Sequence, residues 1–244
     1  MHTDRRRAES FGAAAEAYDR YRPRYPQAFI DELVSSGHPQ VLDVGAGTGI
    51  ASAQLIAAGA QVTAVEPDIR MAQLATAKGI DVEVAPYEDW QPDGRSFDLV
   101  LFAQSFHWVQ PTAALEKTAG ILRPGGRLVL AWNRIEPKAP TRQDLDAVYA
   151  DYMDPSVRAA IHPDQDTVGP MVEQAGYRVE RRTFAEQLRF STQAYLDMAF
   201  TYSNHLTLDA HKRTELRARL EQLIGAGGVT AENNALALVC TPAR

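Results

Sequence analysis

Cysteine and long apolar runs are scarce in this chain, and their scarcity excludes several classes of protein. The 244 residues include a single cysteine, Cys240, which rules out an internal disulfide, and no Cys/His cluster has the spacing of a zinc site. No apolar run is long enough to span a bilayer, and the arginine-rich start lacks the hydrophobic region of a signal peptide. We therefore expect a cytoplasmic protein that binds no metal and no membrane.

Positive charge is also limited. The formal net charge is −6 at pH 7, whereas a protein that binds duplex DNA depends on a positively charged face. The charged, apolar and aromatic fractions are those of an ordinary globular protein. We expect a small-molecule ligand rather than nucleic acid, in a monomer or homodimer.

The most informative stretch is residues 41–49, Val-Leu-Asp-Val-Gly-Ala-Gly-Thr-Gly. Its apolar residues predict a buried parallel strand, and its three glycines allow a sharp turn and a close approach of the backbone to a ligand. A helical run follows, with Ala51, Leu55 and Ala58 on one face. Strand, glycine turn and helix together indicate a nucleotide site at the carboxyl end of the strand.

Asp43 discriminates between the nucleotides that such a turn can hold. The glycines are spaced Gly-x-Gly-x-Gly, not Gly-x-Gly-x-x-Gly as in dinucleotide sites. A carboxylate about 5 Å from a phosphate charge costs roughly 3 kcal/mol at an effective dielectric of about 20, whereas it attracts an ammonium group. A ligand with an adenosine part and an amino-acid part, such as S-adenosylmethionine (SAM), therefore fits better. The alternative is that Asp43 only caps the following turn.

Glu66 ends the second predicted strand and lies 21 positions after Gly45. An acid about 20 residues beyond the glycines accepts the ribose hydroxyls in two-strand α/β sites; otherwise it is an ordinary strand-end charge. Pro67 then begins a helix whose Met71 lies on the inner face, either beside the adenine or in the core.

These segments resemble motif I and the later motifs of class I SAM-dependent methyltransferases. The fourth predicted strand, 96–103, leads into the segment 104–108, Gln-Ser-Phe-His-Trp; a helix and the turn 123–126, Arg-Pro-Gly-Gly, precede a fifth strand that ends at Trp132. The resemblance covers roughly residues 11–133. It implies an α/β fold with a Rossmann-like, seven-stranded, mostly parallel sheet, helices on both faces, an antiparallel last strand pair and a helical lid.

The resemblance also implies which residues hold the cofactor. In the family, the loop after the third strand meets the adenine through a backbone amide and an acidic side chain, here Glu88 or Asp89; the alternative is an exposed acidic turn. The implied cofactor-binding residues are Tyr18, Tyr21, Asp43, Gly45, Ala46, Gly47, Glu66, Pro67, Met71, Tyr87, Glu88, Asp89, Ala103 and Gln104.

Methyl transfer from a sulfonium is an in-line displacement that needs no metal and no covalent intermediate. Positioning of the acceptor can contribute about 7–11 kcal/mol, more than the ~10²–10⁴-fold in rate of one general base. His107 is the candidate catalytic residue, either as a base or as a group that orients the acceptor; the alternative is a structural histidine beside Trp108. His107, Trp108 and Trp132 are also candidate substrate-binding residues.

The N-terminal segment 18–26, Tyr-Asp-Arg-Tyr-Arg-Pro-Arg-Tyr-Pro, mixes aromatic rings with guanidinium groups, and its prolines hold it irregular. Tyr18 and Tyr21 are predicted to pack on the cofactor, unless the segment is a solvated basic arm.

The same segment and Gln-x-x-His-Trp together resemble the trans-aconitate methyltransferase type, whose acceptor is a carboxylate. Arg20, Arg22 and Arg24 could bind such an acid. The acceptor group could therefore be a carboxylate or a hydroxyl.

The remainder of the chain completes a single predicted domain. Two last strands, at 177–190 and 235–241, are expected to pair antiparallel at the far edge of the sheet. The predicted parts of the domain 1–244 are an N-terminal cap at 1–37, a cofactor-binding core at 38–133, and substrate-covering helices at 134–175 and 191–228.

Two other functions remain as alternatives. A nicotinamide-dependent oxidoreductase shares the opening strand, turn and helix, but Asp43 and the glycine spacing oppose it. A SAM-binding partner subunit without catalytic activity is compatible with every motif. A nucleic-acid methyltransferase is disfavoured, since residues 103–106 are Ala-Gln-Ser-Phe rather than an Asn-Pro-Pro-Tyr type of base-flipping motif.

Overall fold

The computed structural model describes residues 15–35, 37–154 and 167–243. The first 14 residues of the predicted cap lie outside these ranges, as do residues 155–166 of the predicted substrate-covering helices. Within the described ranges, no helix combines the length and the apolar character needed to cross a membrane.

The helices and strands alternate through the first half of the chain. The strands are β1 (Gln40–Val44), β2 (Gln61–Val65), β3 (Asp81–Glu83), β4 (Phe97–Ala103), β5 (Leu122–Trp132), β6 (Ile135–Ala139), β7 (Tyr177–Phe190) and β8 (Val229–Pro242). The α-helices are α1 (Ala15–Tyr21), α2 (Gln27–Leu33), α3 (Ile50–Ala57), α4 (Ile69–Ala77), α5 (Pro111–Ile121), α6 (Arg142–Tyr149), α7 (Val168–Gln174), α8 (Thr192–Ala199), α9 (Ser203–Leu206) and α10 (Ala210–Ile224). Short 3₁₀ segments lie at Phe106–Trp108 and Gly225–Gly227.

One mixed sheet organises the fold. Strands β3, β2, β1, β4 and β5 are neighbours in that order and run parallel, so their carboxyl ends meet at one edge. Strand β8 runs antiparallel to three strands: residues 236–240 pair with β5, residues 230–233 pair with β6, and its whole length pairs with β7. From β1 the chain adds β2 and β3 on one side and then β4 and β5 on the other, so the order of the strands reverses between β1 and β4. Ligands bind at such a point in open α/β sheets.

Helices cover both faces of the sheet because its central strands are apolar on both sides, as buried parallel strands require. On one face, residues such as Leu42 and Phe102 pack with Leu115 of α5 and Val172 of α7. The opposite face packs against α2 and α3 through the side chains of Val41, Leu101, Phe29 and Leu55.

A third cluster lies apart from the sheet faces and joins α6, α8 and α10. Its fully buried members are Leu145, Leu196, Leu216 and Leu220. We call this group, with α9, the helical cluster. Leu216 and Leu220 lie four positions apart, and this helical spacing is the feature that predicts α10 from the sequence.

The α/β architecture, the mostly parallel sheet and the antiparallel pair β7–β8 confirm the predicted fold, with one correction to the strand number. The sheet has eight strands rather than seven, because Ile135–Ala139 forms β6. The sequence predicted a loop here because of the prolines at 137 and 140. Proline is nevertheless tolerated on an edge strand such as β6. Strand β8 also begins at Val229, six residues before its predicted start.

The predicted substrate-covering segment 134–175 divides between different parts of the fold. Strand β6 extends the sheet, α6 belongs to the helical cluster, and Val172 of α7 packs into the sheet core. Among the described residues of this segment, α6 is the helix that packs in the helical cluster, and its place over the acceptor stays a prediction.

Candidate active site

The glycine turn follows β1 at the carboxyl edge of the sheet. Gly45 and Gly47 have φ of +67° and +60°, a region that favours glycine. A Cβ atom on Gly45 would lie 2.6 Å from the Cβ of Ser105, whereas one on Gly47 would meet only Met71 Sδ, at 3.9 Å. The N–H of Gly45 donates to Val65 O at 2.8 Å. The turn is thus packed tightly at its start and has open space at Gly47.

Asp43 lies fully buried beneath this turn. Ser52 Oγ donates to Asp43 Oδ2 at 2.6 Å, whereas Asp43 Oδ1 has no hydrogen-bond partner in the part of the chain that the structure describes. Burial raises the pKa of the Asp43 carboxyl to about 6, and the hydrogen bond from Ser52 opposes that rise. Because a buried oxygen without a donor is costly, this carboxylate is suited to receive a hydrogen bond from a cationic ligand group.

Glu66 lies just after β2 and holds the neighbouring backbone. Its Oε2 accepts from Gly47 N at 2.8 Å and its Oε1 accepts from Asp68 N at 2.9 Å. Burial raises the pKa of Glu66 to about 7, and these backbone hydrogen bonds oppose the rise. Each carboxylate oxygen has a second lone pair, so Glu66 can still accept two further hydrogen bonds from adjacent hydroxyls.

Two exposed apolar side chains flank Glu66, and the sequence analysis missed both. Ile69, in the first turn of α4, is 57 % exposed, and Val84, just after β3, is 51 % exposed. Pro67 is also exposed, whereas Met71 is buried. Together with Pro67, Ile69 and Val84 offer apolar surface that is suited to contact a flat apolar ring.

Part of the loop after β3 is bonded to α5 and its N-cap residue, so only the rest of the loop is open to a ligand. The Tyr87 ring is buried, its hydroxyl lies 3.0 Å from Thr118 Oγ1, and burial raises its pKa to about 12. Glu88 Oε1 accepts from Gln110 N at 2.9 Å, while Asp89 is exposed. Of the two acidic candidates, Glu88 is therefore already engaged in the fold.

The segment after β4 turns sharply at Gln104, whose φ of +61° is unusual for a residue other than glycine. Its N–H donates to Ala131 O at 2.8 Å, opposite Ala103 in the register of β4 and β5. Ser105 Oγ then donates to Val44 O. These contacts fix the start of the segment that carries His107 against the glycine turn.

His107 and Trp132 carry the other two unpaired buried atoms. His107 Nδ1 and Trp132 Nε1 have no hydrogen-bond partner among the described residues. Burial lowers the pKa of His107 to about 4, so its ring is neutral at physiological pH. The ring centroids of His107 and Trp108 lie 4.8 Å apart. Trp132 ends β5 and packs in the same core cluster as Phe106, so both unpaired atoms belong to the carboxyl edge of neighbouring strands.

The segment 18–26, which we call the strap, crosses this edge. Thr48 Oγ1, in the glycine turn, donates to Asp19 Oδ1 at 2.8 Å. Gln54 of α3 pairs with both backbone groups of Tyr25, at 2.9 Å each, and Asn133 Nδ2 donates to Pro23 O at 3.3 Å. The strap is therefore built into the sheet edge rather than solvated as a basic arm.

The strap's aromatic and basic side chains divide between several environments. Burial raises the pKa of Tyr18, Arg22 opposes that rise, and the nearby Glu66 carboxylate adds to it. Tyr21 instead packs against the helical cluster. Arg20 lies over the Tyr21 ring at 5.5 Å. Of Tyr18 and Tyr21, Tyr18 is therefore the one close enough to Glu66 for the carboxylate charge to act on it.

Arg22 and Arg24 are already engaged within the protein. Arg22 Nε donates to Thr201 Oγ1 at 2.8 Å. Arg24 lies 4.0 Å from Asp19 and is half exposed.

The residues around the turn fit a ligand with an ammonium group and a ribose. Asp43 offers a buried, unpaired oxygen, Glu66 offers two oxygens next to Gly47, and Gly47 leaves open space. Sequence reasoning missed Ser52 and Ser105, which position Asp43 and the glycine turn. A serine in the first turn of the helix after a glycine turn was the available signal for Ser52.

Comparisons with known proteins identify methyltransferase relatives of this chain. A model of the methyltransferase domain matches residues 42–130. An uncharacterised methyltransferase of Mycobacterium tuberculosis strain H37Rv is 33 % identical over 234 residues, which cover 94 % of this chain and 91 % of that protein. A ubiquinone biosynthesis O-methyltransferase of Xanthomonas axonopodis pv. citri is 32 % identical over 150 residues, 58 % of this chain and 62 % of that protein.

Solved structures share the fold. A protein of Anaeromyxobacter dehalogenans, provisionally described as a type II methyltransferase, superposes with a TM-score of 0.64 at 21 % identity and covers 91 % of this chain and 98 % of its own. Phosphoethanolamine N-methyltransferase 2 of Haemonchus contortus, in complex with SAM, gives 0.58 at 13 % identity, over 96 % of this chain and 57 % of that chain. With a relative one third identical over almost the whole sequence, this chain belongs to the class I SAM-dependent methyltransferases.

Proposed function

We propose that this methyltransferase methylates a hydroxyl oxygen of a small-molecule acceptor and that His107 receives or orients the proton of that hydroxyl. The observation that carries the proposal is the buried Nδ1 of His107, which has no partner among the described residues. Because burial lowers the pKa of His107 to about 4, the ring is neutral at pH 7. A neutral imidazole accepts a hydrogen bond from a hydroxyl and so orients it, but at this pKa it is a weak base. It gives no positive charge to hold a carboxylate.

The cofactor's parts are assigned to the residues that suit them chemically. Asp43 Oδ1 receives the ammonium group, Glu66 receives the ribose hydroxyls, and the backbone at Gly45, Ala46 and Gly47 lies along the ligand. Bound SAM supplies an activated methyl group.

The adenine is assigned to the edge beside Pro67, Ile69 and Val84, where exposed apolar atoms are available. Asp89 is the better candidate for its amino group, since Glu88 already accepts from Gln110 N.

The acceptor is assigned to the carboxyl ends of β4 and β5. Trp132 Nε1 can only donate a hydrogen bond, and it is buried without a partner in the described structure, so it suits an oxygen of the acceptor. His107 Nδ1 suits the hydroxyl that is methylated, and Ala103, Gln104 and Trp108 complete the wall. The resemblance to an O-methyltransferase of ubiquinone biosynthesis supports oxygen as the methylated atom.

The strap and the helical cluster are proposed as a cap over the cofactor and a lid over the acceptor. Tyr18 lies near Glu66, and Arg22 reaches Thr201 beside α8. Such covering elements exclude water and position the acceptor, which is where most of the rate of an in-line transfer arises.

A carboxylate acceptor is the competing possibility, with Arg20, Arg22 and Arg24 as its ligands. Arg22 donates both Nε and one terminal nitrogen to Thr201, and Arg24 faces Asp19. A carboxylate would have to displace these contacts, so we favour the hydroxyl.

An acceptor screen tests the proposal. Purified protein with SAM would be offered alcohols, phenols and di- and tricarboxylic acids, and release of S-adenosylhomocysteine (SAH) would be measured. We expect turnover of hydroxylated compounds. Turnover of carboxylic acids alone would overturn the hydroxyl assignment, and binding of NAD without SAM or SAH would overturn the cofactor assignment.

Substitution of His107 then tests the proposed base. With the acceptor found in the screen, His107→Gln should lower kcat by about 10²-fold or more. The matched control is His38→Gln, because His38 lies at the opposite edge of the sheet, where its ring bonds Gly59 O; its kcat should match that of the unmodified enzyme.

A further inference from the structure

Arg22 joins the strap to the helical cluster. Its guanidinium lies over two tyrosine rings, 4.7 Å from the centroid of Tyr18 and 3.7 Å from that of Tyr202. Nε donates to Thr201 Oγ1 at 2.8 Å and a terminal nitrogen donates to Thr201 O at 3.2 Å. A planar cation that stacks on rings and donates in its plane is a role that lysine cannot fill equally.

The contacts of Arg22 in the helical cluster lie where α8 ends. Thr201 is buried, and its hydroxyl also donates to Met198 O at 2.6 Å, in the last turn of α8. A cation beside a helix C-terminus is stabilised by the helix dipole. Arg22 thereby fixes the connection between α8 and α9, two helices of the helical cluster.

The same strap is fixed to the glycine turn by residues next to Arg22 in the sequence. Asp19 Oδ1 accepts from Thr48 Oγ1 at 2.8 Å and forms an ion pair with Lys78, the residue that follows α4. Lys78 Nζ also donates to Thr48 O at 2.7 Å. Tyr18, one of the rings against Arg22, lies within electrostatic reach of Glu66.

These contacts form one continuous path from the cofactor side of the sheet edge to the helical cluster. It runs from Glu66 to Gly47 N, from the adjacent Thr48 to Asp19, from the neighbouring Tyr18 to Arg22, and from Arg22 to Thr201 and Tyr202. The path consists of packed rings and direct hydrogen bonds. A ligand that orders the glycine turn and Tyr18 therefore also restricts the end of α8.

We propose that Arg22 is a positioning residue that couples occupancy of the cofactor site to ordering of the helices over the acceptor. This inference rests on the proposed cofactor site. It gives Arg22 a different task from direct binding of the acceptor, since two of its nitrogens already donate to Thr201 and its guanidinium lies over two tyrosine rings. Coupling of this kind is reciprocal, so loss of the link also weakens the cofactor.

Hydrogen–deuterium exchange with SAH as the probe tests the coupling without an identified acceptor. The variants are Arg22→Met, which keeps the aliphatic length and removes every donor, and Thr201→Val, which removes one acceptor with little change of shape. Each would be compared with and without SAH, at concentrations that give equal occupancy by calorimetry.

In the unmodified protein, SAH should slow exchange at least about tenfold both in residues 44–50 and in residues 198–206. In Arg22→Met the slowing of 44–50 should remain and that of 198–206 should fall below twofold, with SAH affinity reduced about three- to tenfold. Thr201→Val should give an intermediate loss, and Thr201→Ser, which keeps the hydroxyl, should restore the slowing.

The matched control is Arg219→Met, because Arg219 also lies over a tyrosine ring, 5.8 Å from that of Tyr152, and pairs with Asp151, but within the helical cluster and away from the strap. It should behave like the unmodified protein. Slowing of 198–206 that persists in Arg22→Met, or that is absent when SAH binds the unmodified protein, would overturn the coupling alone. Failure of SAH to bind the unmodified protein would overturn the proposed cofactor site with it.

Discussion

Ser52 Oγ donates a hydrogen bond to Asp43 Oδ2 at 2.6 Å, and the other oxygen of this buried carboxylate has no partner among the described residues. The ligand-free protein therefore holds a carboxylate that its own fold satisfies only in part. Such an arrangement lowers stability and is retained where a ligand completes it.

The first prediction is that Asp43→Asn stabilises the ligand-free protein at alkaline pH. The pKa of Asp43 is raised from 3.8 to about 6 by burial. The folded state consequently binds the proton more tightly than the unfolded state, and the free energy of unfolding falls as pH rises between about 4 and 6. Asparagine has no charge to bury, so the variant should gain up to about 3 kcal/mol at pH 8 and almost nothing at pH 4.

Urea denaturation at the two pH values measures this difference. The same variant should bind SAH more weakly by over about 1 kcal/mol, because a charge-assisted hydrogen bond is lost. A variant that is less stable at pH 8, or equally stabilised at both pH values, would contradict the account of Asp43.

The second prediction concerns the pH dependence of cofactor affinity. Burial raises the pKa of Glu66 to about 7 and that of Asp43 to about 6, so both carboxyls are partly protonated at pH 6. Ionised carboxylates are the forms that attract the ammonium group and accept from the ribose hydroxyls. SAM affinity should rise between pH 5.5 and pH 8 and then level off.

Isothermal titration calorimetry across that range, in buffers of different ionisation enthalpy, measures both the affinity and the protons released. Glu66→Gln should remove the part of the rise near pH 7, and Asp43→Asn the part near pH 6. Affinity that stays constant from pH 5.5 to pH 8 in the unmodified protein would refute the assignment of these two residues.

The sequence predicted the positions of Asp43 and Glu66 because both residues lie at the ends of strands, and the apolar residues of those strands locate them in the sequence. It also predicted the parallel strands and the antiparallel end of the sheet. The partners of long side chains are a different matter. Tyr21 and Tyr87 pack into apolar clusters and Arg22 reaches Thr201, 179 positions away; contacts over such distances depend on tertiary packing and leave no local pattern.

A third prediction separates two glycines of the turn. Gly45→Ala places a Cβ 2.6 Å from that of Ser105 at a positive φ, so it should destabilise the protein by about 2–3 kcal/mol through clash and backbone strain. Gly47→Ala meets nothing closer than 3.9 Å and should cost only about 1 kcal/mol of strain, while it fills space that the ligand needs.

Thermal unfolding and SAH titration of both variants measure the contrast. The ratio of SAH affinity lost to stability lost should be larger for Gly47→Ala. The double variant Gly45→Ala/Ser105→Gly should be more stable than the sum of the two single effects predicts, because the clash is removed, while the backbone strain and the loss of the Ser105 hydrogen bond to Val44 O remain. Additive effects of the two substitutions would show that the contact with Ser105 carries none of the cost.

The last prediction uses two non-glycine residues with positive φ, Gln104 at +61° and Asp93 at +50°. Glycine at either position relieves the backbone strain, and the gain in stability should be about 0.5–1 kcal/mol at Gln104 and smaller at Asp93, since aspartate tolerates this conformation better.

The effects of the two substitutions on kcat should differ. Gln104 begins the segment that carries His107. Glycine keeps the N–H that donates to Ala131 O but frees the backbone there to adopt other conformations, whereas Asp93 lies in an exposed turn. Gln104→Gly should therefore lower kcat with the screened acceptor while it raises the melting temperature, and Asp93→Gly should leave kcat unchanged. Equal kcat in both variants would mean that the conformation of Gln104 has no part in positioning His107.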